Sequence, residues 1–209
     1  MSKQLVIKKI DWLLQSKSTD VYAISGEWGS GKTHTWNERL NNSVHSGAMA
    51  WENYSYVSLF GVNSLDALKL SIFENQLDTK LLKKEQVNAE NAFAKLKSFG
   101  KKQTKLIIPL LDKYKSFAGF FAFSSVKNTL ICIDDLERAS NKLNVNDILG
   151  LVTQLKEQKN CKVVLLLNEE NLSDTKYAEL KEKVIDINLR FSVEVEEALD
   201  VAIKDRNLS

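Results

Sequence analysis

Two short, almost uninterrupted apolar runs limit the folds open to this chain more than any other feature of its sequence. They are LICI at residues 130–133 and VVLLL at residues 163–167. Strands with one solvated face alternate apolar and polar residues, whereas parallel strands covered on both faces read as continuous apolar runs. Helix-length segments separate the strand-like runs, as crossovers between parallel strands require. The sequence therefore predicts an α/β fold, a parallel sheet with helices on both faces.

The order of the predicted elements refines this fold. A helix over residues 2–16 and a strand over 20–25 come first, and a glycine-rich segment then leads into a helix that ends near residue 42. The later elements are a strand at 54–59, a helix from Ser64, a helical stretch at 79–128, a strand at 129–134, a helix at 145–158, strands at 161–168 and 184–187, and a helix from Val193. We expect one domain over residues 1–209 with about five strands.

The glycine-rich segment carries a phosphate-binding motif. Its residues are Gly26, Glu27, Trp28, Gly29, Ser30, Gly31, Lys32 and Thr33, which match G-x-x-x-x-G-K-[ST] between a predicted strand and a predicted helix. The loop N–H groups and the helix N-terminus are expected to surround the phosphates of ATP. Lys32 then neutralises the β- and γ-phosphate oxygens, and Thr33 offers its hydroxyl to Mg²⁺. A chance glycine-rich turn is the alternative, and the flanking elements argue against it.

The residue after this motif, His34, is included in the nucleotide-binding set because of its position. A structural or exposed side chain is the alternative interpretation of this histidine.

A second motif follows the apolar run 130–133, which ends in Asp134 and Asp135. A carboxylate at the end of a neighbouring strand is what the phosphate-binding loop needs for its metal. We predict that Asp134 holds Mg²⁺ and that Asp135 polarises the attacking water. A strand that simply ends in an acidic turn is the alternative.

Three further polar residues are candidates for the same site. Asn168 follows the strand at 161–168 and could reach the γ-phosphate or the attacking water if that strand lies between the other two motif strands. The alternative is a cap on the helix that starts at Glu169. Arg138 is either an arginine finger that acts on a neighbouring subunit or an exposed charge near a turn, and Arg190 is a weaker candidate of the same kind.

Taken together, GEWGSGKT and ICIDDLER resemble the motifs of the KAP family of P-loop NTPases. The resemblance covers residues from about Val21 to Arg190. It implies an additional-strand ATPase of the wider AAA+ and STAND type, and a role in bacterial anti-phage defence or regulation. No helical lid follows the predicted helix from Val193, so we expect the chain to be the N-terminal part of a longer protein.

The resemblance also implies an insertion between the two motifs, at about residues 80–128. This segment holds eleven lysines and three acidic residues, a net charge of +8 in a chain whose total is +2. It could contact nucleic acid electrostatically, and a solvated lysine-rich face is the alternative. Asp112, Lys113 and Lys115 interrupt its apolar stretch, so no membrane span is expected.

The sequence also predicts the cellular compartment and the function of the protein. Cys132 and Cys161 lie far apart inside apolar runs, which argues against disulfides and metal binding, and the N-terminus lacks a signal-peptide pattern, which predicts a cytoplasmic protein. The leading hypothesis is a regulatory, Mg²⁺-dependent ATPase whose nucleotide state controls self-association or contacts with a partner protein. The alternatives are a kinase, a nucleic-acid-associated ATPase and a nucleotide-dependent scaffold that does not hydrolyse ATP.

Overall fold

The structure, a computed structural model, describes residues 2–84, 123–172 and 175–191. Most of the predicted insertion and the predicted helix from Val193 lie outside these residues. The helices are α1 (Lys3–Gln15), α2 (Lys32–Ser46), α3 (Leu65–Glu74), α4 (Thr79–Lys84), α5 (Val145–Lys159) and α6 (Thr175–Val184). The strands are β1 (Val21–Ser25), β2 (Asn53–Ser58), β3 (Leu77–Asp78), β4 (Thr129–Asp134), β5 (Lys162–Leu167) and β6 (Ile187–Arg190). Two 3₁₀ turns span Leu136–Arg138 and Glu169–Asn171.

The strands form one sheet in the order β3-β2-β4-β5-β1-β6. Strands β2, β4, β5, β1 and β6 are parallel, and the two-residue β3 pairs antiparallel with β2 at one edge. The predicted parallel sheet of about five strands is therefore confirmed. Strand β5 lies between β1 and β4, which is the condition that the prediction for Asn168 required.

The last strand and the short edge strand β3 differ from the sequence prediction. The last strand was expected at residues 184–187, but α6 continues to Val184 and β6 begins only at Ile187. Because Lys181 O accepts a hydrogen bond from Ile185 N at 2.9 Å, the apolar residues after Lys183 first complete the helix. Strand β3 was not predicted, since two residues are too few for a periodic signal. The predicted helix start at Ser64 is confirmed, with Ser64 Oγ accepting from Ala67 N at 3.1 Å.

Each face of the sheet has its own buried core. Alternate residues of β1 separate the two, with Val21 and Ala23 in one cluster and Tyr22 and Ile24 in the other. Helices α3, α5 and α6 cover the first face, and α1 and α2 cover the second. All residues of β1, β4 and β5 are buried, as strands covered on both faces must be.

A buried lysine anchors α1 to the sheet. Lys162, the first residue of β5, is fully buried, and its Nζ donates to Leu13 O at 2.7 Å and to Ser16 O at 2.8 Å. These carbonyls belong to the C-terminal end of α1, where a cation is favoured and partners are lacking. Trp51 Nε1 also donates to Ser16 O, at 2.9 Å. Burial lowers the pKa of Lys162 to about 8, against the opposing effect of the charge on Asp20.

This lysine makes stability depend on pH. Its pKa in the folded state lies below the value of the unfolded chain, about 10.4, so the unfolded chain binds more protons between these two values. The contribution of Lys162 to the free energy of unfolding therefore rises as pH increases above about 8. Between about pH 8 and 9.5, the free energy of unfolding of wild type should rise by up to ~2 kcal/mol relative to that of Lys162→Met. Urea denaturation at several pH values measures this difference. A difference between the two proteins that does not vary with pH would contradict this assignment.

Candidate functional site

The carboxyl ends of β1, β4 and β5 place the predicted site residues at one edge of the sheet. Strand β1 leads into the glycine-rich loop, β4 ends at Asp134, and β5 ends immediately before Asn168. Because parallel strands end at the same edge, side chains far apart in sequence come together there. All three predicted segments of the site are thus in reach of one another.

The backbone of the loop explains its glycines. Gly29 and Gly31 have φ angles of 75° and 86°, in the left-handed region that glycine adopts without a steric penalty. Gly31 is the residue immediately before α2, which starts at Lys32. At Gly26 the reason is different, since an added Cβ would overlap the carbonyl oxygen of Phe191, just beyond β6. The curvature of the loop therefore requires glycine at two positions, and the nearby backbone of Phe191 requires it at the third.

The side chain of Lys32 folds back onto the start of the glycine-rich loop. Its Nζ donates to Gly26 O at 2.7 Å and to Glu27 O at 2.8 Å. Burial lowers the pKa of Lys32, and the nearby carboxylates partly offset this, Glu137 more than Asp134 or Asp135. The ammonium group thus donates to two loop carbonyls, and the negative charges of these carboxylates favour its protonated form.

Asp134 is held by three donors from three different segments. Its Oδ2 accepts from Thr33 Oγ1 at 2.8 Å and from Tyr56 Oη at 2.7 Å, and its Oδ1 accepts from Asp135 N at 2.8 Å. Burial raises the pKa of this carboxyl group, and the hydrogen bonds from Tyr56 and Thr33 act in the opposite direction. Leu130 and Cys132 pack in the core under α2, so strand alternation places Asp134 on the side where α2 presents Thr33.

Asp135 points to a different part of the site. Its backbone is left-handed, with a φ of 60°, and its Oδ2 accepts from Ser58 Oγ at 2.7 Å. Its Oδ1 lies 3.6 Å from Arg138 Nη1. This carboxylate is therefore engaged beside the end of β2.

Glu137 connects the glycine-rich loop to the end of β5. Its Oε1 accepts from Trp28 Nε1 at 2.8 Å, and its Oε2 accepts from the backbone N of Asn168 at 3.0 Å. Sequence reasoning missed both Glu137 and Tyr56. Their partners are 109, 31 and 78 residues away in sequence, so no local periodicity could have indicated these contacts.

The buried Asn168 makes the capping contact that the sequence left open. Its Oδ1 accepts from Glu170 N at 3.1 Å in the second 3₁₀ turn. This contact engages the carbonyl oxygen of the side chain, and the residue still lies beside the glycine-rich loop, in a cleft of about 500 Å³. The cleft is lined by residues 25–30, 168–170 and 190–191.

The remaining candidates lie at the rim. The guanidinium carbon of Arg138 is 4.1 Å from the centre of the Phe60 ring, and its side chain is 43% exposed. Arg190 is more exposed and lies 3.5 Å from Glu170 through Nη2 and Oε1. His34 is exposed on the first turn of α2. The structure thus brings Arg138, but not His34, into contact with an acid of the site.

None of the described helices is long and apolar enough to cross a membrane. The residues of the predicted insertion that lie outside the described ranges are not covered by this finding.

Comparison with known proteins identifies the fold. Solved structures similar to this chain include the Aeropyrum pernix ORC1 protein in complex with DNA, with a TM-score of 0.55 and 11% identity over 98% of this chain and 49% of that protein. Cdc6p from Pyrobaculum aerophilum gives a TM-score of 0.53 and 13% identity over 96% of this chain and 48% of its own. The Aeropyrum pernix ORC2 protein in ADPNP-ADP complexes gives a TM-score of 0.52 and 14% identity over 98% of this chain and 51% of its own.

The chain thus spans about half the length of each of these proteins. At such identities the likeness concerns the fold, which is that of the P-loop NTPases. No protein-family model matches the sequence, and no curated protein matches it significantly.

The close approach of Gly26 to the backbone of Phe191 can be tested by substitution. Gly26→Ala forces the new Cβ against backbone and should lower the free energy of unfolding by ~1–3 kcal/mol, since the Phe191 carbonyl is held by β6. Gly150→Ala in α5 is the matched control, because nothing lies within 4 Å of its added Cβ. This control should stabilise the protein by ~0.5–1 kcal/mol. Equal effects of the two substitutions in urea denaturation would contradict the described packing.

Proposed function

We propose that this chain binds and hydrolyses Mg·ATP, and that its nucleotide state controls contacts with a partner or a second copy. The observation that carries the proposal is the 2.8 Å hydrogen bond from Thr33 Oγ1 to Asp134 Oδ2. It joins residues 101 positions apart, the last residue of the glycine-rich motif and the acid at the end of β4. P-loop NTPases hold magnesium with this pair of residue types.

The oxygen atoms at this position fit a magnesium ion. Mg²⁺ prefers hard oxygen ligands and is bound through one or two protein groups together with phosphate oxygens and water. Thr33 supplies a hydroxyl, and Asp134 supplies a buried carboxylate whose orientation is set by Tyr56 and by Asp135 N. Thr33 and Asp134 would hold the ion, which supplies charge neutralisation at the phosphates.

Binding of the phosphates requires an exchange of partners at Lys32. The ammonium group leaves the carbonyls of Gly26 and Glu27 and moves to phosphate oxygens, while the N–H groups of residues 26–33 and the N-terminus of α2 face the anion. Gly26, Glu27, Trp28, Gly29, Ser30, Gly31, Lys32, Thr33 and His34 are the proposed nucleotide-binding residues. Asn168 stands next to this loop in the same cleft, which supports a role near the γ-phosphate.

Exposed aromatic side chains support the partner contacts. Trp28 and Phe60 are 65% and 66% exposed, and both contact the 3₁₀ turn that follows Asp135. Large aromatics and arginine are enriched at protein–protein interfaces. The rim of the nucleotide site is thus a suitable place for contacts that change with nucleotide state.

Two finer parts of the proposal rest on sequence alone. The KAP-type assignment, with a role in bacterial anti-phage defence, rests on the resemblance of the two motifs. The binding of nucleic acid rests on the +8 charge of residues 80–128, most of which lie outside the described residues. Measuring ATPase rates with and without single- and double-stranded DNA tests the second of these.

The first test concerns nucleotide binding. Mg·ATP at about 100 times its dissociation constant should stabilise wild type by ~2.7 kcal/mol, because it binds the native state alone. Lys32→Ala should abolish this ligand-induced increase in melting temperature, since Lys32 supplies the central phosphate contact. Lys8→Ala, which removes an exposed lysine from α1, should keep the full increase. An undiminished increase in Lys32→Ala would refute the phosphate-binding role.

The second test concerns Arg138 as an arginine supplied to a neighbouring subunit. Such arginines raise hydrolysis rates by ~10³-fold or more, so the ATPase rate per chain should increase with protein concentration in wild type. Arg138→Ala should abolish that increase, whereas Lys142→Ala, a loss of charge at an exposed position nearby, should keep it. A rate per wild-type chain that stays constant with concentration would argue that Arg138 serves its own Asp135 instead.

A further inference from the structure

The two acids that follow Asp134 face different parts of the site. Ser58 Oγ and Arg138 Nη1 engage the carboxylate of Asp135 beside β2. By contrast, Trp28 Nε1 and the backbone N of Asn168 engage the carboxylate of Glu137. The second pair of donors belongs to the glycine-rich loop and to the end of β5, and these are the segments that border the phosphate position.

The contacts of Glu137 fit an ionised carboxylate that can accept more. Both of its partners are N–H donors, at 2.8 Å and 3.0 Å, one to each oxygen. An ionised carboxylate offers about four lone-pair sites, so sites remain for a water molecule. The two existing bonds fix its orientation between the loop and β5.

We infer that Glu137, rather than Asp135, is the general base of ATP hydrolysis, an inference that rests on the proposed function. The carboxylate accepts a proton from water while the water oxygen forms a bond to the γ-phosphorus. The bond from that phosphorus to the β–γ bridging oxygen breaks, and its electron pair stays with ADP. The proton passes from Glu137 to the released phosphate or to solvent. Asp135 then serves as a positioning residue for Arg138 and the end of β2.

The decisive experiment compares Glu137→Gln with Asp135→Asn in single-turnover hydrolysis of Mg·ATP. Glu137→Gln should slow hydrolysis by ~10²-fold or more, since general bases contribute about this much, and should keep the affinity for ATP within about threefold. Asp135→Asn should slow it by less than about tenfold. Glu52→Gln, at an exposed position before β2, controls for the loss of one negative charge. A larger loss in Asp135→Asn than in Glu137→Gln would overturn the inference.

Trp28→Phe separates catalysis from a merely structural link. It removes the indole donor and keeps the carboxylate, so its rate should fall much less than that of Glu137→Gln. Equal losses would show that the link alone matters and would overturn the role as base. The indole N–H signal of Trp28 in NMR spectra, identified as the one that Trp28→Phe removes, should shift in ligand-free Glu137→Gln. An unchanged signal would contradict the contact on which the inference depends.

The same measurements separate this inference from the proposed function. Wild type that neither gains stability from Mg·ATP nor releases phosphate would refute both. Wild type that hydrolyses ATP, together with Glu137→Gln at an unreduced rate, would refute the inference alone. Glu137→Gln that binds ATP and retains it unhydrolysed would support both.

Discussion

The parallel pairing of β5 with both β1 and β4 is the constraint on which the rest of the site depends. Ser25 at the end of β1 pairs with Leu167 at the end of β5, and Ile133 of β4 pairs with Leu165 two residues earlier. With this register the three connections leave the sheet at one edge and at nearly one level. A shift of one residue would turn Asp134 to the face opposite α2 and away from Thr33. The buried cores on both faces fix the register, because such a shift would also exchange the apolar residues between them.

A buried carboxylate at the centre of this edge determines what surrounds it. Removing Asp134 from water is costly unless hydrogen bonds compensate, and donors from α2, β2 and the following backbone N–H supply them. Each donor is itself positioned by its element. Tyr56, for example, lies two residues from Tyr54, whose hydroxyl accepts from Trp36 Nε1 at 2.9 Å inside the core. The site is thus continuous with the hydrophobic packing under α2.

Patterns that are local in sequence could be predicted, and contacts between distant segments could not. The continuous apolar runs indicated covered parallel strands, and the glycine spacing with its flanking elements indicated the loop. The conditional argument for Asn168 named the strand arrangement that the structure has. However, the lysine that begins β5 gives no sequence signal of its role, since its partners on α1 are 149 and 146 residues away.

The directions of the two acids that follow Asp134 show the same limit. The left-handed backbone of Asp135 directs its carboxylate towards β2, and no periodicity in the sequence indicates such a turn. Glu137 reaches the loop only because the chain then enters a 3₁₀ turn. The direction of a side chain after a strand end depends on a few backbone angles, which residue type alone does not specify.

The three-residue turn Leu136–Arg138 carries side chains that contact both the outer surface and the interior of the site. Its middle residue holds Trp28 and the end of β5, while its last residue stacks on the exposed ring of Phe60. One peptide unit joins Glu137 to Arg138, so the same short backbone segment carries the side chain that contacts Trp28 and the side chain that stacks on Phe60. A molecule bound to Phe60 and Arg138 from outside would therefore lie one residue away from the side chain that joins the glycine-rich loop to β5.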